Sequence, residues 1–263
     1  MTNKNTKNPR EIVIEILSLV LENGKLSHLV LRDKLDEYNF LDKQDKAFIT
    51  RISEGTIERK ITIDYVINQF SKVKVKKMKP FIRELLRFSV YQIMYMDNIP
   101  DSASCNEAVK IAKKRGFSNL SGFVNGVLRN IARSKEEIKY PDKIGDLTSY
   151  YSIMYSVPEW IIDSFIKDYG KECAIKMIEN MYSSNNDNIS ARINVSKSSK
   201  KDVIDKLQNQ NITVEESPLA DNAVILRNYD NIYEIDAFKE GLIQVQDISS
   251  MIVGQISGVK KDD

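Results

Sequence analysis

Histidine and cysteine are nearly missing from this chain of 263 residues, which holds one His and two Cys. His28 alone cannot make an imidazole pair for a metal or a proton relay, and its plain reading is a residue in the first turn of a short helix. Cys105 and Cys173 are far apart, with no second thiol or histidine at metal-ligand spacing, so the expectation is two reduced cysteines in structural roles. No apolar run is long enough to span a membrane, and the start MTNKNTKNPR leads into an amphipathic helix rather than a signal-peptide core. A cytoplasmic protein is expected. No G-x-G loop occurs anywhere, so the commonest phosphate-cradling motif is excluded as well.

What is present is a soluble, globular composition of 42% hydrophobic and 29% charged residues, long enough for one large or two modest domains. The net charge of +2 conceals a division. Residues 1–140 carry 26 Lys+Arg against 17 Asp+Glu, a net of +9, whereas residues 141–263 carry 13 against 20, a net of −7. The first part is therefore the one suited to a polyanion.

Residues 1–140 read as all-helical. Residues 1–7 are polar and expected to be disordered. Ile12, Val13, Ile16, Leu17 and Val20 trace one apolar face, stopped by Asn23-Gly24. A helix from Ser27 would bury Leu29, Val30, Leu31 and Leu35; another, capped by Asp42, would bury Ala47, Phe48, Ile52 and Ile57. Ile63, Val66, Ile67 and Phe70 mark the next. Ser71–Lys79 then carries Lys72, Lys74, Lys76, Lys77 and Lys79, which reads first as a solvated connection, although such a cluster can add counterion release to RNA binding.

In Arg83–Arg129, Ile82, Leu85, Leu86, Val90, Ile93 and Met96 recur at helical spacing, with Arg83 and Arg87 on a polar stripe, available to RNA or to internal Asp and Glu. Ile99-Pro100 forces a turn. Ser104-Cys105-Asn106-Glu107 reads as a capping box opening a helix that Gly116 ends. Leu120, Phe123, Val124, Val127, Leu128 and Ile131 mark a third helix, where Gly122 and Gly126 would admit a close neighbour.

Pro141–Ser149 reads as a connection, followed by a helix with a capping box at Ser156-Val157-Pro158-Glu159 and an apolar side of Trp160, Ile161, Phe165 and Ile166, then by a helix over 171–182 and a loop over 183–188. From Ile189 the period changes to two. Strands are expected at 189–193, 212–215, 223–226 and 242–245, with helices over 199–208 and 248–256, the last capped by Asp247. The fold class is thus multi-domain: a helical domain over 1–140, a helical linker region over 141–188 and a small α+β subdomain over 189–263.

Val90-Tyr91-Gln92-Ile93, Ile99-Pro100, Asn106-Glu107-Ala108-Val109 with Ala112-Lys113, and Phe123 to Arg129 resemble the NusB-like RNA-binding domain of the Sun/RsmB family of 16S ribosomal RNA cytosine-C5 methyltransferases. Arg51 and Gly55 resemble that family's Arg-x-x-x-Gly turn. Ala191 to Asn194 and Gly241 to Ser250 resemble the strand that opens its RNA-binding subdomain and the segment that leads into its methyltransferase core. The resemblance implies a 16S ribosomal RNA partner, S-adenosylmethionine as cofactor of the full-length protein, and a protein partner or homodimer through the NusB-like domain. It also implies a cysteine that adds to C6 of the cytosine and a second that helps release the product, both in a Pro-Cys context that Cys105 and Cys173 lack. Because the chain stops before the Rossmann-like core with its S-adenosylmethionine loop, it is expected to be an amino-terminal fragment with no catalytic, cofactor or metal residues. The residues expected to contact RNA are Arg10, Lys113, Lys114, Arg115, Arg129, Arg133 and Arg192. A free-standing NusB-like antitermination factor and a purely structural helical protein are the alternatives.

Overall fold

A computed structural model describes residues 8–183, 188–229 and 232–258; the disorder expected over 1–7 and most of the loop expected over 183–188 lie outside them. Two compact units divide between Met181 and Tyr182.

The first unit holds ten helices among the described residues: α1 (Pro9–Leu17), α2 (Ser27–Glu37), α3 (Lys43–Glu58), α4 (Lys60–Phe70), α5 (Pro80–Tyr95), α6 (Asp101–Lys114), α7 (Ser121–Arg133), α8 (Leu147–Tyr155), α9 (Glu159–Tyr169) and α10 (Lys171–Ser183). Helix α5 is the axis: Ile82, Leu85, Leu86, Phe88, Val90 and Ile93 are all buried, with α1, α3, α4, α6 and α7 packed around it. Core positions follow the sequence periodicity on α1, α4, α5 and α7. On α3 the inward face turns to Ile49 and Ile52 while Ala47 is exposed, and on α9 Ile162 is buried whereas Trp160 is 71% exposed. The first helix does not end regularly. Ser18–Glu22 forms a π-helical turn before Gly24, at φ 69°, reverses the chain.

Two expected capping boxes are absent. Helix α6 starts at Asp101, behind Pro100, so Ser104 lies inside it, 1% exposed, with a hydroxyl that has no partner. Proline at the N-cap supplies the extended backbone that the expected serine would have supplied. Helix α9 likewise starts behind Pro158, and Ser156 ends α8 in the left-handed region at φ 55°. Asp42 and Asp247 do cap, accepting from the amides of Asp45 at 2.7 Å and Ser249 at 2.8 Å. Gly116 ends α6 in a Schellman turn: its own amide donates to the Lys113 carbonyl and the Phe117 amide to that of Ala112 at 2.8 Å.

The glycine that is sterically required is Gly55, where a Cβ would fall 2.2 Å from the Tyr91 ring. A Cβ on Gly122 or Gly126 would meet nothing within 4 Å, so the close helix approach expected there is not made.

Helix α8 begins at Leu147, inside the stretch read as a connection. Its carboxyl end meets the amino end of α4. The Ile61 amide donates to Ser156 Oγ at 3.0 Å, and Thr62 Oγ1 donates to the Ile153 carbonyl at 2.5 Å. Each helix thereby satisfies an orphan backbone group of the other.

The second unit runs β1 (Ile189–Ile193), α11 (Lys200–Asn209), β2 (Thr213–Glu216), β3 (Ala223–Arg227), α12 (Asp236–Lys239), β4 (Ile243–Val245) and α13 (Ile248–Ile256). Its sheet has the order β2-β3-β1-β4 with every neighbour antiparallel, two interleaved β-α-β units. Ala191, Ile193, Val224 and Leu226 meet Val203 and Leu207 of α11 in its core, while Ala223 packs with Met251 of α13.

Candidate nucleic-acid interface

The seven cations expected to contact RNA fall into different environments. Lys114 and Arg115, in and just past the last turn of α6, reach back to α1: Lys114 Nζ lies 2.7 Å and Arg115 Nε 3.0 Å from the Glu11 carboxylate, and Arg115 Nη2 lies 3.3 Å from Glu15. Burial works against ionisation of Glu11, but the two cations outweigh it and hold the carboxyl below its usual range. Arg10 is half-buried, its Nε 3.4 Å from Gln92 Oε1 and its guanidinium 5.0 Å from the Phe48 ring centre; burial lowers its pKa and Glu107 opposes that. These three cations tie helices together.

Lys113 and Arg129 are exposed and have no hydrogen-bond or ion-pair partner among the described residues. Arg129 and Arg133 line a shallow groove between α6 and α7 with Asp101, Cys105, Gly126 and Asn130, and Arg133 Nη2 donates to Asn130 Oδ1 at 2.7 Å. Burial pushes the Cys105 thiol up, against a nucleophilic role. Arg192 belongs to the second unit, where it faces Gln244 across the β1–β4 pairing and donates to its Oε1 at 3.2 Å.

Arg83 and Arg87 are internal partners of acids. Arg87 spans Asp64 on α4, at 2.7 Å and 2.6 Å, and Glu84 one turn away, at 2.6 Å. Glu84 is fully buried, and its Oε2 accepts nothing. Burial pushes its carboxyl up to about 8 against the pull of Arg87, with Glu22 adding to the rise, so that Glu84 is protonated and shares its proton with the Glu22 carboxylate. Glu22, set by the π-turn, is held low chiefly by its hydrogen bonds from Arg83, whose Nε lies at 2.8 Å.

The same Arg83 reaches the lysine-rich stretch, its Nη1 3.5 Å from the carbonyls of Lys76 and Met78. That stretch is fixed at both ends. Val75 and Met78 are buried, the Val75 amide donates to Asn68 Oδ1 at 2.9 Å, and Lys79 Nζ lies 5.6 Å from the ring centre of Phe117, itself stacked on Phe81 at 5.0 Å. Lys72, Lys74, Lys76, Lys77 and Lys79 are all exposed. The sequence names these lysines but not their anchorage; its one signal is the pair of apolar residues, Val75 and Met78, within an acid-free run.

Comparison with known proteins finds two domains in succession, the second beginning inside the first compact unit. Residues 7–133 match the NusB family, and residues 157–233 match the Methyltr_RsmF/B-like, ferredoxin-like domain. A probable ribosomal RNA small subunit methyltransferase B of Bacillus subtilis is 34% identical over 254 residues, 97% of this chain and 55% of that protein. The chain belongs to the Sun/RsmB family. It spans about half the length of the family's curated members that it matches from end to end. A transcription antitermination protein NusB of Thermodesulfovibrio yellowstonii is 38% identical over 109 residues, 40% of this chain and 71% of that protein. The crystal structure of PH0851 shares the fold, with a TM-score of 0.66 and 21% identity over 97% of this chain and 56% of that one. No helix among the described residues is long and apolar enough to cross a membrane.

Proposed function

We propose that this chain is the RNA-binding amino-terminal portion of a 16S ribosomal RNA cytosine-C5 methyltransferase that works in the cytoplasm. Residues 1–140 would grip phosphates, 141–188 would join the domains, and 189–263 would pass RNA toward a methyltransferase core. One observation carries this reading. A NusB domain and an RsmF/B-type ferredoxin-like domain follow each other in one chain, 97% of which aligns with a relative named for ribosomal RNA methylation.

The described residues do not fit S-adenosylmethionine: the sheet is wholly antiparallel, and none of its strands ends in a glycine-rich turn opening a helix. Methyl transfer therefore belongs to the full-length protein, and this chain's part is to hold and orient RNA. Lys113, Arg129 and Arg133 are exposed enough to meet phosphates directly, and Arg192 could do so from the second unit. Arg10, Lys114 and Arg115 would have to exchange internal partners first.

The test is titration of the chain against a helix-and-loop fragment of 16S ribosomal RNA and a scrambled RNA of equal length at several salt concentrations. Tighter binding to the ribosomal fragment is expected. Equal, weak binding to both would move recognition to the rest of the full-length protein and favour an antitermination-type factor with a protein partner or a second copy of itself.

A further inference from the structure

We infer that the strap from Lys72 to Lys79 is a built phosphate track for single-stranded RNA, continued by Lys113 at the carboxyl end of α6; this rests on the RNA-binding reading above. Three observations carry it.

The first is the contrast in pairing. Several cations elsewhere in the helical unit have carboxylates: Lys34 has Glu37 at 2.7 Å, Lys110 has Glu107 at 2.7 Å, Lys114 has Glu11 at 2.7 Å and Lys135 has Asp101 at 2.9 Å. The five strap lysines have no carboxylate partner among the described residues, and the segment from Ser71 to Pro80 contains no acid. Five like charges within eight residues repel one another in the free protein, and a polyanion would relieve that.

The second is rigidity. A merely solvated connection needs no anchors, yet this one has several. Val75 and Met78 insert into the core, Asn68 takes the Val75 amide, and Ser71 Oγ donates to the Val73 carbonyl at 2.7 Å. The Lys77 amide donates to the Lys74 carbonyl at 2.8 Å, and Arg83, itself clamped by Glu22, reaches the carbonyls of Lys76 and Met78. The backbone is ordered before any ligand arrives, so the conformational cost of binding on the protein's side is that of the lysine side chains.

The third is continuity. The Schellman turn at Gly116 delivers Phe117 to the strap, where its ring stacks on Phe81 and lies under Lys79, placing exposed Lys113 four residues from the contact. Lys79 and Lys113, 34 residues apart in sequence, are thus linked through Phe117, which follows the helix that carries Lys113. An irregular strap follows a flexible single strand more readily than the fixed phosphate spacing of a duplex.

The experiment measures binding of a labelled single-stranded oligoribonucleotide of mixed sequence to the full chain over a salt series. Lys74→Gln/Lys76→Gln/Lys77→Gln is compared with the control Lys167→Gln/Lys171→Gln/Lys176→Gln, whose targets are exposed on α9 and α10. Circular dichroism confirms that each variant is folded. The strap variant is expected to lower the slope of log K against log salt by about 2, roughly 0.7 for each lost single-strand contact, and the control to leave it unchanged. If the parent binds with a steep slope that the strap variant does not alter, the strap is overturned and the RNA-binding reading stands. If the parent binds no RNA, the reading itself fails. Equal binding of polyglutamate, equally weakened by the strap variant, would overturn RNA in favour of an acidic protein.

Discussion

Glu84 is a fully buried carboxyl group with Arg87 at 2.6 Å, Arg83 at 3.7 Å and the Glu22 carboxylate as a neighbour. Its native pKa of about 8 lies above the value it has when unfolded, so the native state holds the extra proton between the two carboxyl groups. Stability must then fall as pH rises from about 4.5 to 8, at most by ~1.4 kcal/mol per pH unit, and level off above. Glu84→Gln keeps an acceptor for Arg87 and a donor for Glu22; urea titrations from pH 5 to 9 should show its slope flattened and its stability above the parent's at pH 9. Gly55 makes the opposite kind of demand. Gly55→Ala drives a methyl group into the Tyr91 ring, and urea unfolding should show a loss of about 1–3 kcal/mol. Neither effect is readable in the sequence beyond the fact that Arg83 and Arg87 could take internal acids, because Glu22, which raises Glu84 further, and Tyr91, which crowds Gly55, lie on other elements.

Among the helices, what could be read depended on range. Caps that act within three residues, Asp42 and Asp247, and apolar faces at helical period are local, and the sequence contains them. The capping boxes at Ser104 and Ser156 have the right spacing but lose to proline at the N-cap. Opposite outcomes follow: Asp42→Ala should cost about 1 kcal/mol of unfolding free energy, whereas Ser104→Ala, which removes a buried hydroxyl with no partner, should cost nothing or stabilise. Helix α8 escapes a sequence reading for the same reason. Its own apolar pattern is short, and its carboxyl end is tied to Ile61 and Thr62, separated from their partners by 95 and 91 residues. Of the candidate site, Lys113, Arg129 and Arg133 are exposed, whereas the capture of Lys114 and Arg115 by Glu11 could not be seen before the fold brings Glu11 to the end of α6.

Over the chain as a whole, the excess of positive charge lies in residues 1–140, while the compact unit continues to Met181. Charge composition and folding unit are therefore different divisions. A fragment ending at residue 140 keeps the basic surface but loses Tyr151, 1% exposed, and the Ser156 cap of α4. Comparing fragments 1–140 and 1–181 in urea should show the shorter one less stable by more than about 2 kcal/mol, since a buried aromatic and a helix cap go together.

The joint between α4 and α8 also bears on how long the native state lasts. A contact between residues 61 and 156 closes a long loop, and such closures come late on the way to the native state. Ser156→Ala should thus hasten unfolding and leave the refolding rate almost unchanged in stopped-flow measurements. A bond made late is broken early, so this joint, rather than the deeply packed α5, governs how quickly the helical unit opens.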